Sequence, residues 1–357
     1  MSASELLFLP REAVGPWLRA LAGARRVLAP VRRGPVVLFG PPDFEAPEGG
    51  QGALVLDRLA AQSPRGAVLP QTEDLLHLHF TRDPETGQAR TEVRVPPGPQ
   101  PAVLFAARPC DVRGLAELDR VFTAGPVADP YYAARRAATA VVALACAGPQ
   151  DAACFCHWSG GPCAAPGADV WLFPLADGFA ARAQTPLGAE LLAASAAVPA
   201  PGREAEVDAL ALAAREAMGP APDLTRLPEA FQARFGDAAF WEGLSRACVG
   251  CGVCAYVCPT CQCFNITDER HGATGRRLRT WDHCMAHGFT LEASGHNPRA
   301  GKGLRYRQRL GHKFVYNRDQ RPDGVPGCTG CGRCVRLCPG CMDIRRAALA
   351  VLGGSSD

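Results

Sequence analysis

The side chains in this sequence most able to do chemistry are its cysteines, of which there are seventeen in 357 residues. Twelve of them crowd into the last 110 residues, where one run occurs twice, eighty residues apart. The first copy is Cys248-Val-Gly-Cys251-Gly-Val-Cys254-Ala-Tyr-Val-Cys258-Pro259-Thr-Cys261, and the second is Cys328-Thr-Gly-Cys331-Gly-Arg-Cys334-Val-Arg-Leu-Cys338-Pro339-Gly-Cys341. The spacing C-x2-C-x2-C-x3-C-P is that of bacterial ferredoxins with two clusters. A [4Fe–4S] cube needs thiolates at four corners. Cysteines at i, i+3 and i+6 on a tight loop can wrap three irons, and the fourth, before the proline, reaches the neighbouring cluster. The pattern therefore predicts one cluster on Cys248, Cys251, Cys254 and Cys338, and a second on Cys328, Cys331, Cys334 and Cys258. Glycines at 250, 252, 330 and 332 let the backbone approach each cube and donate N–H groups to it. Two CxxC pairs could instead make a four-cysteine zinc site. Zinc takes four ligands, however, not two sets of four each followed by proline.

The other cysteines say less. Cys261 and Cys341 belong to the repeat, while Cys263 and Cys284 do not. All four are expected as small buried side chains beside the clusters, with ligation of a further or unusual cluster as the alternative. In the first half, Ala107-Arg108-Pro109-Cys110-Asp111 follows a strand and opens a helix. A helix N-terminus favours a thiolate, so Cys110 reads either as a redox or substrate-contacting thiol or as a helix-entry residue capped by Asp111. Cys154-Phe155-Cys156-His157 with Gly160-Gly161-Pro162-Cys163 has metal-like residues in a loop. Its spacing fits no zinc or cluster pattern and favours a structural loop.

These residues need elements to hold them. No cysteine occurs between 164 and 247, and Pro/Gly linkers at 198–204 and 219–228 bracket an Ala/Leu-rich helix over 204–218. The expected organisation is an α/β N-terminal domain over 1–198, carrying the RPCD and CFC motifs. A linker with a helix follows over 199–227. An α+β, ferredoxin-like domain with two [4Fe–4S] clusters then spans 228–357, with a long basic insert at 264–327. Apolar runs at 36–39, 102–107, 140–145 and 170–173 read as buried strands, with helices at 11–22, 111–121 and 131–138 and a loop at 44–51. Their alternation favours a partly parallel sheet. Within the insert, Arg270 to Arg321 holds twelve Arg and Lys against three acids, a surplus of nine, and five of the eight histidines. Three readings follow: positive charge that raises the cluster potentials, a basic face that docks an acidic partner through residues such as Arg305, Arg307 and Arg309, or a solvated face in an Arg-rich chain. A nucleic-acid surface is disfavoured, because the aromatics are scattered and form no recognised module.

Composition excludes several classes. Hydrophobic residues at 47% and charged residues at 20% suit a globular protein with a core. Only Lys302 and Lys313 are lysines among 38 basic residues, which reads as genome composition rather than phosphate binding. No apolar run reaches the ~18 residues of a membrane span. The N-terminus lacks a secretory signal, so the expected location is the cytoplasm. Many cysteines there mean metal or redox chemistry. No G-x-G-x-x-G after a strand and no G-x4-G-K-[ST] is present, so no flavin, NAD or ATP site is expected on this chain.

The combination of RPCDVRGLAELDRVF (108–122), DPYYAARR (129–136), CFCHWSGGP (154–162) and two ferredoxin runs flanking GHNPRAGKGLRYRQRLGHKFVY (295–316) resembles a known family. It is similar to the iron–sulfur beta subunit of cytoplasmic sulfhydrogenase-type nickel–iron hydrogenases, and to the iron–sulfur subunit of anaerobic sulfite reductase. The resemblance runs from about Pro101 to Asp343. It implies a chain with two [4Fe–4S] clusters and no catalytic centre. Such a chain passes electrons between two partners, a flavin-containing NAD(P)H-oxidising subunit on one side and a catalytic subunit on the other. The resemblance carries over the eight ligand cysteines and gives no role to Cys110, Cys154 or Cys156. The alternative is a free-standing iron–sulfur reductase with a small-molecule site near Cys110, Arg108, Tyr131 and Tyr132.

Overall fold

The computed structural model describes residues 5–163, 166–316 and 324–353. Twelve strands occur among them: β1 (Leu7–Pro10), β2 (Arg26–Arg33), β3 (Val36–Gly40), β4 (Thr72–Arg82), β5 (Ala89–Arg94), β6 (Ala102–Ala107), β7 (Thr139–Leu144), β8 (Val170–Pro174), β9 (Gly178–Ala183), β10 (Val198–Pro199), β11 (Phe264–His271) and β12 (Thr274–Trp281). Eight form one sheet in the order β10-β1-β9-β8-β7-β6-β2-β3. Its centre, β8-β7-β6-β2, is parallel, and the flanking pairs are antiparallel. Every residue of β6 and β7 is buried. This is why both read as unbroken apolar runs: a parallel sheet covered on both faces has no wet side. Val103, Phe105 and Val142 pack on one face, under Trp17, Leu18 and Leu191. Leu104, Val141 and Ala143 pack on the other, under Leu115, Leu118 and Tyr132 of the helices Pro109–Thr123 and Pro130–Ala137.

The strands expected near 36, 102, 140 and 170 form within one or two residues of their forecast ends, as do the helices near 111, 131 and 204. The stretch 11–22 divides into a 3₁₀ turn, Arg11–Ala13, and an α-helix, Val14–Ala22. Pro16 has no N–H and is tolerated in a first turn, so the α-helix begins just before it. At the end of β6 the pairing slips between Phe105 and Ala107, and Ala106 takes a φ of 57°. Such a bulge redirects the chain, here into Arg108-Pro109-Cys110.

A second sheet has the order β11-β12-β4-β5. Its strands come from both halves of the sequence, with Thr274 opposite His79 and Thr280 opposite Thr72. Sequence reasoning misses it because β5 is wholly exposed and β11 almost so. Neither strand carries the apolar alternation that marks a half-buried strand.

This hairpin also changes the meaning of the insert's charge. Asp268 and Glu269, just before the counted segment, pair across the hairpin with Arg277 (2.7 Å) and Arg276 (2.9 Å). Arg279 is buried and bonded to Glu73 and Asp129. Arg305 donates to the carbonyls of Met285 and Arg299, and Arg307 to that of Phe235. Arg309 and Lys313 are each only 4% exposed. Much of the surplus is thus paired or internal, and the expectation that Arg309 lies on a docking face is corrected by its burial. Arg318, Asp319 and Arg321 lie outside the described residues.

The C-terminal helices Leu227–Ala233, Ala238–Leu244, Lys302–Phe314 and Ile344–Val351 close around Phe231, Trp241, Leu310, Phe314 and Ala347. One-turn helices, Val253–Tyr256 and Arg333–Arg336, follow the two glycine-rich loops.

Candidate iron–sulfur sites

Two neighbouring cavities lie inside this helical part. Cys248, Cys251, Cys254 and Cys338 line the first, and Cys258, Cys328, Cys331 and Cys334 line the second. Cys334 and Arg309 border both. Among the described residues no three His, Cys, Asp or Glu converge tightly enough to hold a single metal ion. The thiols are spread around cavities instead, as the corners of a four-iron cube would be. Each cavity also has a buried hydroxyl with no hydrogen-bond partner among the described residues: Tyr306 Oη in the first and Thr329 Oγ1 in the second. A buried orphan hydroxyl costs about 1–3 kcal/mol. A cluster sulfide would accept from it, so the donor sets fit the groups that the spacing calls for.

The glycines do what the motif requires. Gly250, Gly252, Gly330 and Gly332 all have φ between 64° and 74°. At Gly330 and Gly332 the backbone also has no room for a side chain. A Cβ there would lie 2.4 Å from the carbonyl oxygens of Phe155 and Ala153 respectively. The second ferredoxin loop is therefore pressed against the CFC loop, and Phe155 N donates to Gly330 O at 2.8 Å.

The helix Lys302–Phe314 supplies the positive charge. Lys313 Nζ donates to Thr260 Oγ1 (2.7 Å), which lies 3.4 Å from Cys258 Sγ. Burial disfavours the Lys313 ammonium, but Cys258 and Cys261 outweigh it and hold its pKa above the ordinary lysine value. Burial likewise opposes the Arg309 charge, and Cys254 and Cys334 overcome it. A hydrogen bond from Cys261 holds the Cys258 thiol well below its ordinary value, against burial and with help from Lys313. Burial pushes the Cys328 thiol up to about 12. Such a thiol ionises only when a cation takes the place of its proton.

The remaining cysteines divide. Cys261, Cys263 and Cys284 line a third cavity beside Lys313 and His312. Cys341, expected to be buried, is exposed and has a φ of 51°. Cys110 lies in the first turn of Pro109–Thr123 and is buried. Burial, followed by Asp111, raises its thiol well above the ordinary value. The helix terminus, worth about 0.3–1 kcal/mol, does not offset that burial. Asp111 meets the helix-entry expectation, accepting from Arg108 N at 3.2 Å. It also accepts from Arg333 at 2.5 and 3.1 Å, both side chains being fully buried. Tyr132 is buried and donates to Asp119 (2.7 Å), Tyr131 to Leu75 O, and Arg108 to Ala145 O and Leu56 O. Cys110, Cys154 and Cys156 do come together, around a further cavity. Cys146, which sequence reasoning passed over as an isolated residue, lines it with them. Its sequence signal is only that it follows a buried strand.

The sequence profile of the 4Fe-4S dicluster domain matches residues 247–342. Over 258 residues the chain is 31% identical to the protein named Sulfhydrogenase 2 subunit beta from Pyrococcus furiosus, covering 70% of this chain and 74% of that protein. The chain belongs to the sulfhydrogenase beta-subunit family. As a sulfhydrogenase beta-subunit relative, it is an iron–sulfur protein of the electron-transfer type with a 4Fe–4S dicluster domain in its C-terminal part. No solved structure matches it. Among the described residues no helix is long and apolar enough to cross a membrane.

Proposed function

We propose that this chain relays single electrons through two [4Fe–4S] clusters, one held by Cys248, Cys251, Cys254 and Cys338 and the other by Cys328, Cys331, Cys334 and Cys258. The observation that carries the reading is the crossed lining of the two cavities: each takes three thiols from one motif and the fourth from the other. Bound there, each four-iron cluster takes up and gives up one electron at a time. The protein supplies the rest. Cys334 and Arg309, bordering both cavities, keep the two sites adjacent. Arg309 and Lys313 place positive charge beside anionic groups and so favour their reduced state. Cys251 is exposed and follows Val249, itself 68% exposed, so the first site opens toward a partner.

On this reading the donor is a flavin-containing NAD(P)H-oxidising subunit, and the acceptor is a catalytic subunit of the hydrogenase or sulfite/sulfur reductase type. The name of the Pyrococcus relative, a sulfhydrogenase subunit, supports a multi-subunit setting. The domain division at 1–198, 199–227 and 228–357, with a ferredoxin-like core interrupted at 264–327, belongs to the same proposal. So does a cytoplasmic location, for which all seventeen cysteines being free thiols is the support. The free-standing reductase has no comparable support, since Arg108, Tyr131 and Tyr132 spend their polar groups inside the fold.

Anaerobic absorbance titration tests the relay. The isolated chain should bleach with dithionite and not with NADPH, and NADPH should bleach it once the flavin subunit is added. NADPH oxidation by the chain alone would overturn the relay.

A further inference from the structure

The cavity lined by Cys110, Cys146, Cys154 and Cys156 lies at the carboxyl edge of the parallel sheet. Cys110 comes just after β6 and Cys146 just after β7, its paired neighbour. In open α/β sheets this edge is where ligands bind. The other two cysteines come from the CFC loop, held against the second ferredoxin loop by the Phe155–Gly330 hydrogen bond and by the missing side chains of Gly330 and Gly332. Four thiols from three separate segments thus face one space, otherwise walled by apolar and small residues such as Leu59, Pro109, Pro162 and Gly330.

Each of the four has an arginine beside it. Arg333 neighbours Cys110, Arg108 neighbours Cys146, and Arg113 neighbours Cys156. Arg336 Nη2 lies 3.8 Å from Cys154 Sγ. Neutral thiols in a dry cavity would not need four guanidinium groups. Buried charge needs a partner, and four thiolates around an iron–sulfur core provide one. Arg113 also keeps its buried Nε and Nη1 without hydrogen-bond partners among the described residues.

We propose that Cys110, Cys146, Cys154 and Cys156 hold a third four-iron cluster. This deepens the relay reading and rests on it. Cys331 lines both this cavity and the second ferredoxin-type cavity, so the three sites form one row. The row runs from exposed Cys251, past Arg309, to the edge of the N-terminal sheet. An electron gained at this third site is lost by its neighbour, with no bond made and no proton moved. The row thereby gains a terminus on the N-terminal half of the chain, where a second partner can exchange electrons.

Iron, acid-labile sulfide and zinc per chain, on the anaerobically purified full-length protein, test this directly. About twelve iron and twelve sulfide are expected; about eight of each would overturn the third site. The double variant Cys146→Ser/Cys156→Ser should then lose about a third of the iron and sulfide. Fully reduced, it should integrate to about two electron spins by paramagnetic resonance, against about three for the native chain. One zinc per chain released by that variant, or an unchanged iron content, would also overturn the proposal. If the variant does not fold, the native count and spin integral decide alone. The failures are distinguishable. Eight iron with the double variant unaffected removes only the third site, whereas a native protein without sulfide removes the relay as well.

Discussion

At the residue scale, cluster ligation rests on which thiols meet. Cys258 and Cys338 each lie in one motif and line the cavity of the other. Replacing Cys258 by Ala should therefore damage the cluster built mainly by Cys328, Cys331 and Cys334. Cys338→Ala should damage the one on Cys248, Cys251 and Cys254. Spectroscopy of each variant alongside Cys251→Ala and Cys331→Ala distinguishes the two outcomes, since the crossed assignment requires Cys338→Ala to resemble Cys251→Ala. If Cys338→Ala resembles Cys331→Ala instead, the clusters are not crossed. Arg309 acts on both sites together. One unit charge at 4 Å is worth about 4 kcal/mol at an effective dielectric of 20, so a buried guanidinium between two anionic groups is a strong lever on their potentials.

At the element scale, the notable contact is between the Arg333–Arg336 turn and the helix Pro109–Thr123. Arg333 and Asp111 pair with no exposure to solvent, and Arg333 also donates to Ala60 O at 2.8 Å. This ties the second ferredoxin loop to the RPCD motif. Breaking a buried pair by removing one partner costs about 3–5 kcal/mol, because the other charge stays buried. Arg333→Met should lower the melting temperature of the anaerobic protein sharply, and adding Asp111→Asn should recover part of the loss. Equal melting of native and Arg333→Met proteins would show that the pair does not fasten the two parts together. The hairpin of β11 and β12 is a second fastening: it continues the strands of the first half, and Trp281 donates to Leu69 O while Arg65 stacks 3.6 Å above its ring.

At the scale of the whole molecule, two things bear on partner choice. The insert's positive charge is largely spent on cross-strand pairs, backbone carbonyls and buried thiols, so reversing Arg305, Arg307 and Arg309 would test folding more than docking. The surface beside the first site is instead apolar at Val249. Val249→Asp should leave iron content unchanged and slow NADPH-driven reduction in the assembled complex several-fold. An unaltered rate at equal iron content would place the donor's docking face elsewhere.

Local spacing was enough to specify the dicluster ligands, because a cube's corners impose a short, fixed interval on one loop and a proline on the next helix. Buried strands and capped helices were legible for a similar reason: a fully covered strand must be apolar throughout. The polar sheet was not legible, since β4, β5, β11 and β12 are held by backbone pairing and charge pairs rather than by an apolar stripe. Nor was the gathering of Cys110, Cys146, Cys154 and Cys156. Cys110 and Cys146 are 36 positions apart, and only adjacent parallel strands bring their ends together. The sequence by itself determined that two four-thiol sites could form and which thiols belong to each. Tertiary structure alone decided where the arginines went and which isolated cysteines became neighbours, because long-range strand pairing leaves no interval in the chain to read.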